Sequence, residues 1–176
     1  ISLAATEAGI RIFQKPVAEV KEIRKETESY PKISVESGNA VSIPLAHSLM
    51  ELTIEFEKES SRQFGLIIRH SEEEKTVIGY DAAEEKLFVD RTLSGEHSFS
   101  TSFPAVQEAP LKLEDQRLKL QLFLDTSSIE VFANNGEAAI TSLLFPRESS
   151  KELILFSNEG TTNVSHLKIT ELDSIW

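Results

Sequence analysis

The amino-acid pattern predicts an all-β protein: a two-sheet antiparallel β-sandwich, jelly-roll or concanavalin-like, led by a short N-terminal helical linker. Three observations predict it. From Lys32 onward, apolar and polar residues alternate in short runs, the period of a strand with one buried face. Turn-forming residues break those runs at short spacing, which gives about ten strands and leaves helical spacing only near the start. Finally, Arg117–Pro146 (RLKLQLFLDTSSIEVFANNGEAAITSLLFP) reads as three consecutive strands of a meander.

In that stretch Leu118, Leu120, Leu122 and Leu124 alternate with Lys119, Gln121, Phe123 and Asp125. Asp125-Thr-Ser-Ser128 favours a turn, because its side chains hydrogen-bond their own backbone. Ile129, Val131 and Ala133 alternate again. A two-residue loop at Thr126-Ser127 sets Leu124 opposite Ile129 and Leu122 opposite Val131, and a slip of one residue would split the apolar set between faces. Asn135-Gly136 is the expected next turn, of type I′, which needs positive φ at both positions. A third strand, Glu137–Phe145, is expected to stop at Pro146, which cannot donate to a ladder.

Taken in order, Ile1–Ala5 and Gly9–Gln14 read as two strands around a turn at Glu7-Ala8-Gly9. Pro16 suits a first helical position, and Val17, Val20 and Ile23 follow at helical spacing. Thr27–Pro31 reads as a linker. Short strands follow at Ile33–Val35 and Val41–Ile43. Next comes Met50–Phe56, where Glu51, Thr53, Glu55 and Glu57 take the alternate positions and imply a solvated sheet face. Phe64–His70 is a more continuous apolar run, suited to a central strand. Thr76–Asp81 and Lys86–Arg91 flank a turn at Ala82–Glu85. Thr92–Ala109 is a long polar connection, and Leu153–Ser157 and Val164–Leu172 complete the strands.

Composition narrows the chemistry. With 176 residues, the chain has the length of one ordinary domain. It has no cysteine, which excludes disulfides and thiolate metal sites. The net charge of −11 makes nucleic acid and anionic membranes poor partners. No apolar run approaches the ~20 residues of a membrane span, and no signal peptide is visible. Ile1 stands where an initiating Met would, so a fragment or mature product is expected.

His47, His70, His97 and His166 show no metal-pair spacing, and neither a nucleophile elbow, a phosphate loop nor a dinucleotide fingerprint is present. No cofactor is expected. Glu72-Glu73-Glu74-Lys75 reads as a solvated turn. Glu51, Glu55, Glu57 and Glu130 are the carboxylates weighed as a glycosidase pair; none sits at a strand-end turn, so the solvated-face reading is preferred. Flat sugar platforms draw on Trp and Tyr, and here there are only Trp176, Tyr30 and Tyr80. No catalytic, substrate-binding or metal residue is assigned.

The meander carries more. Leu124-Asp125-Thr-Ser-Ser-Ile-Glu-Val-Phe132, then Asn135-Gly136-Glu137, Thr141 and Phe145-Pro146, resembles the C-terminal sandwich of glycoside hydrolase family 32. Those enzymes are the β-fructosidases: levanases, inulinases, invertases and sucrose-6-phosphate hydrolases. Gly79-Tyr80-Asp81 with Lys86–Arg91 resembles paired strands in the middle of that domain. Gly9–Val17 resembles the junction of the family's five-bladed propeller with its linker, and Ile175-Trp176 a common ending. Thr126 departs from the family, which commonly has Arg there; this puts in doubt an ion pair at that position, not the turn.

The resemblance, nearest to bacterial levanases, implies a division into 1–15 as the remnant of the last propeller blade, 16–30 as linker and 31–176 as sandwich. The family's catalytic carboxylates lie in the propeller, in Asp-Pro-Asn, Arg-Asp-Pro and Glu-Cys contexts that this chain lacks. The expected role is therefore structural and inactive alone, with the propeller as partner and fructan or sucrose as the parent enzyme's substrate. The alternative is an autonomous fructan-binding module. Location would be extracellular for a levanase-like parent and cytoplasmic for a sucrose-6-phosphate hydrolase-like one. The strands before Lys15, deprived of blade neighbours, are expected to find a substitute edge on the sandwich or on a second copy, giving a homodimer.

Overall fold

The computed structural model describes residues 1–6 and 9–174. Its elements in order are β1 (Ser2–Thr6), β2 (Gly9–Phe13), a 3-10 segment (Ala18–Ile23), β3 (Arg24–Tyr30), β4 (Ile33–Glu36), β5 (Val41–Pro44), β6 (Met50–Lys58) and β7 (Gln63–His70). Then follow β8 (Lys75–Asp81), β9 (Lys86–Leu93), β10 (Val106–Pro110), β11 (Arg117–Leu124), β12 (Ser128–Ala133), β13 (Ala138–Leu143), β14 (Glu152–Asn158) and β15 (Thr161–Leu172). One antiparallel sheet runs β10-β9-β8-β7-β14-β5 and the other β13-β12-β11-β6-β15-β3, with β4 also on β15.

The alternation in the sequence makes the core. Met50, Leu52, Ile54 and Phe56 of β6 point inward beside Leu118, Leu120, Leu122 and Leu124 of β11. Across the layer they meet Phe64, Leu66 and Ile68 of β7, Ile78 and Tyr80 of β8, and Leu153 and Leu155 of β14, in one continuous cluster. Phe56, Phe64 and Tyr80 stack in series at 5.5 and 5.7 Å between centroids. The Tyr80 hydroxyl is buried and donates to the Leu111 carbonyl at 2.8 Å, so its one polar atom is satisfied. The meander register is the expected one: Leu124 faces Ile129 and Leu122 faces Val131. Thr126 leaves its turn intact, with the Thr126 N–H donating to Asp125 Oδ1 at 2.6 Å and the Asp125 N–H to the Ser128 carbonyl at 3.0 Å.

Several expectations are corrected. The second meander turn is not a two-residue Asn135-Gly136 loop: Ala133 pairs with Ala138, so four residues close it. Positive φ begins at Asn134 (46°) and continues through Asn135 (60°) and Gly136 (93°), and two asparagines tolerate what a β-branched residue would not. The third strand is correspondingly shorter, Ala138–Leu143. Thr27–Pro31 is no linker; most of it belongs to β3, which pairs with β15 along the sheet edge. Its charged, exposed sequence hid the strand, and charge is what protects an edge. The connection after Leu93 ends in another edge strand, β10.

The apolar set of β15 is Val164, Leu167 and Ile169, a step of three and then of two. The β6 pairing skips a residue between Val164 and His166, so a bulge rephases the strand and keeps all three inside. Glu74, expected in a solvated turn, is buried and accepts from Ser150 Oγ and the Arg147 N–H, both at 2.8 Å. The closing Ile175-Trp176 and the turn residues Glu7 and Ala8 lie outside the described residues.

The N-terminal segment departs most. β1 and β2 pair from Ser2↔Phe13 to Thr6↔Gly9 as a separate two-stranded sheet. Among the described residues neither strand joins a sandwich edge, so the expected substitute edge on this chain is not taken. Just after β2, the Gln14 N–H donates to the Gly136 carbonyl at 2.9 Å and ties the segment to the sandwich. Helix starts at Ala18, not Pro16, and is 3-10, not α. The step of three from Val17 to Val20 to Ile23 matches three residues per turn better than 3.6.

Candidate functional site

A groove of about 490 Å³ lies where the Gln14–Arg24 segment passes over the outer face of the seven-stranded sheet. Its floor is the polar side of β6, β11 and β12, the side that carries Glu51, Thr53 and Glu55, then Lys119, Gln121 and Phe123, then Phe132. The period of two that sends leucines inward presents these residues outward. Phe123 and Phe132 meet edge to face at 6.2 Å and 80°.

Glu51 is not solvated, as its place in the row suggested, but 2% exposed. Arg24 grips it with two bonds, Nε to Oε2 at 2.6 Å and Nη2 to Oε1 at 2.7 Å, and Gln121 Nε2 adds a third to Oε1 at 2.6 Å. A fork of two parallel bonds is the strong way for arginine to hold a carboxylate. Glu55 accepts from Arg117 Nη1 at 2.9 Å and lies 3.6 Å from Lys119 Nζ, and Glu57 lies 3.2 Å from Arg117 Nη2. Glu130 is exposed two strands away, opposite Phe123 and Thr141. The four candidate carboxylates thus share one face, and three of them end on cations that lace neighbouring strands together. Glu51, Glu55 and Glu57 are thus each held by cations from other strands, unlike the free acid and nucleophile by which a glycoside is hydrolysed.

The remaining candidates are scattered. His166 borders the groove, whereas His47 and His70 stand beside Glu171 and Glu152 elsewhere. Tyr80 is in the core, its hydroxyl pushed up to about 12 by burial and by the nearby Glu85 and Asp81 charges. Tyr30 is likewise pushed up to about 12, by partial burial and its bond to Glu28. Burial opposes ionisation of Asp81, but bonds from Gln63 and the Glu84 and Ala83 amides outweigh it and hold the carboxyl below the usual range. Asp81 thereby caps the turn between β8 and β9. Sequence reasoning missed the groove and the Arg24 clamp. Its one available signal was Arg24 itself, which the helical spacing placed on a solvated face and which in the structure opens β3.

Comparison with known proteins accords with this geometry. The family model described as "Glycosyl hydrolases family 32 C terminal" matches residues 19–171. The levanase of Bacillus subtilis (strain 168) is 35% identical over a 180-residue alignment covering 100% of this chain and 27% of that protein. A levanase of Bacillus sp. (strain L7) is 34% identical, again over 100% of this chain, and 20% of that protein is covered. The crystal structure of exo-inulinase from Aspergillus awamori superposes with a TM-score of 0.85 at 28% identity, over 99% of this chain and 35% of that one. The chain therefore spans 20–35% of the length of these relatives. With most of its residues matched by the family model and its whole length by the two levanases, the chain belongs to the C-terminal domain family of glycoside hydrolase family 32.

Proposed function

We propose that the chain is the non-catalytic sandwich of a levanase-like, fructan- or sucrose-cleaving hydrolase, and that it supports a catalytic propeller preceding it in the same polypeptide. In this reading residues 1–15 are the last strands of that propeller, residues 16–30 join the two units, and residues 31–176 are the bulk of the sandwich. The β1–β2 hairpin is the observation that carries the proposal. It exposes Leu3 (70%), Ile10 (75%) and Ile12 (57%), and among the described residues it joins neither sheet of the sandwich. A lone two-stranded hairpin is marginal in water, so its apolar face and edges suit strands of a neighbouring domain. That the levanase relatives are several times longer supports the same reading.

Supplying the preceding half of the full-length protein as a separate polypeptide tests it. Size-exclusion chromatography with light scattering should give a one-to-one complex with this chain, lost when residues 1–14 are deleted. Two halves that stay apart, or a chain that pairs only with itself through β1 and β2, would count against the propeller as partner.

A further inference from the structure

We infer that the groove beneath the Gln14–Arg24 segment is a docking surface for an acidic stretch of the domain preceding residue 1 in the same polypeptide, latched there by Lys15 and Lys21. The inference rests on the scaffold reading and names one contact within it. Charge is the first argument. The chain as a whole carries −11, yet the groove collects four cations, Lys15, Lys21, Arg24 and Lys119, against the carboxylates Glu51 and Glu55. Arg24 is held by Glu51, and Lys119 lies 3.6 Å from Glu55. Lys15 and Lys21 are exposed, and their ammonium groups make no hydrogen bond or ion pair among the described residues. Glu19 and Glu22 belong to the same segment but do not line the groove. A surplus of positive charge thus faces whatever enters, and complementary charge selects and orients a partner.

Position is the second argument. Lys15 follows Phe13, the last paired residue of β2, by two residues, ~7 Å of extended chain. Whatever packs on the exposed hairpin is thereby brought to the mouth of the groove. Gln14 and Gly136, which the backbone bond joins, both line it. The lining points to a segment of protein and not to a free small anion. A small ligand is held by a pocket that buries most of its surface, whereas here the unpaired ammonium groups stand on exposed side chains. The same groove holds the Phe123–Phe132 pair together with Pro16, Val17 and Val20. A loop that carries a carboxylate beside an apolar side chain satisfies both parts of this lining, as the polar rim and apolar centre of a protein interface do.

The test is cross-linking of the full-length protein with a carbodiimide, which joins an ammonium to a carboxylate only where the two touch. Lys15 or Lys21 should be found joined to an Asp or Glu upstream of residue 1. The yield should fall in ~1 M salt, where charges are screened beyond ~3 Å. Both lysines should be acetylated about fivefold more slowly in the full-length protein than in this chain alone. Lys151, exposed beside β14 of the other sheet, should react at one rate in both. A longer amine-to-amine reagent, applied in parallel, reports whether the two domains pack at all. Domains joined by the longer reagent, with the carbodiimide linking Lys15 and Lys21 only to acids of this chain or to none, overturn the inference and leave the scaffold reading standing; equal acetylation rates do the same. Links from either lysine to a second molecule, recognised by mixing isotope-labelled and unlabelled protein, make a second copy the occupant and overturn it too. No link between the domains with either reagent removes the scaffold reading and the inference with it.

Discussion

Arg24 and Glu51 show what a single side chain does here. Alternation along β6 says which face of the sheet Glu51 takes but not which other segment lies over that face, so it read as solvated. In the fold Arg24, at the start of β3, reaches across and desolvates it. Removing one partner from a buried pair leaves the other charge uncompensated. Arg24→Ala is therefore expected to cost about 3 kcal/mol, near the low end for such pairs because the guanidinium is partly exposed. Arg24→Lys keeps the charge, loses the fork, and should cost less. Urea unfolding would show this as a lower midpoint at unchanged slope. The tyrosines give a second residue-scale expectation. Tyr80 holds its proton to about 12, against an ordinary value of 10.0. Its contribution is fully present below pH 10, where the phenol is neutral folded and unfolded. It is lost as pH rises from 10 to about 12, because the unfolded chain ionises first; the whole is worth roughly 3 kcal/mol. Phenolate absorbance should place both tyrosine midpoints near 12; a midpoint near that of free tyrosine for Tyr80 would mean an open core.

At the scale of elements, what the sequence made legible was whatever packing enforces. The β11–β12 register was readable because a slip would expose Leu122 and Leu124. β3 and β10 were not, because they are short exposed edges whose residues answer to solvent and not to the core. The groove was out of reach for a related reason: it forms between residues far apart in the chain, Lys21 and Phe132 among them, and no local pattern marks such a meeting. The β12–β13 turn was half legible, since Asn135-Gly136 announced a bend without announcing its length. Gly136 has a second duty there, because a Cβ on it would stand 1.9 Å from the Gln14 carbonyl oxygen. Gly136→Ala combines that clash with a φ of +93°. It is expected to destabilise the chain by about 1–3 kcal/mol and to break the bond that holds the N-terminal hairpin. Faster trypsin cleavage after the exposed Arg11 of β2, with the sandwich otherwise intact, would register the release; an unchanged cleavage rate would mean the hairpin is held by other contacts.

For the molecule as a whole, division of labour is the central claim. A continuous core gives the sandwich its own stability, and Glu51, Glu55 and Glu57 on its outer face hold strands together. On the proposed reading, chemistry is left to a partner that meets the exposed strands β1 and β2. The most direct measurement is the rate of fructose release from levan, inulin and sucrose by this chain, by the preceding half of the protein, and by the two mixed. The account predicts no release from this chain alone, activity in the preceding half that decays quickly on warming, and a longer half-life once this chain is added. Release by this chain alone that disappears on substituting one of its own Asp or Glu residues would contradict it, as would a preceding half whose activity and half-life do not change when the sandwich is supplied.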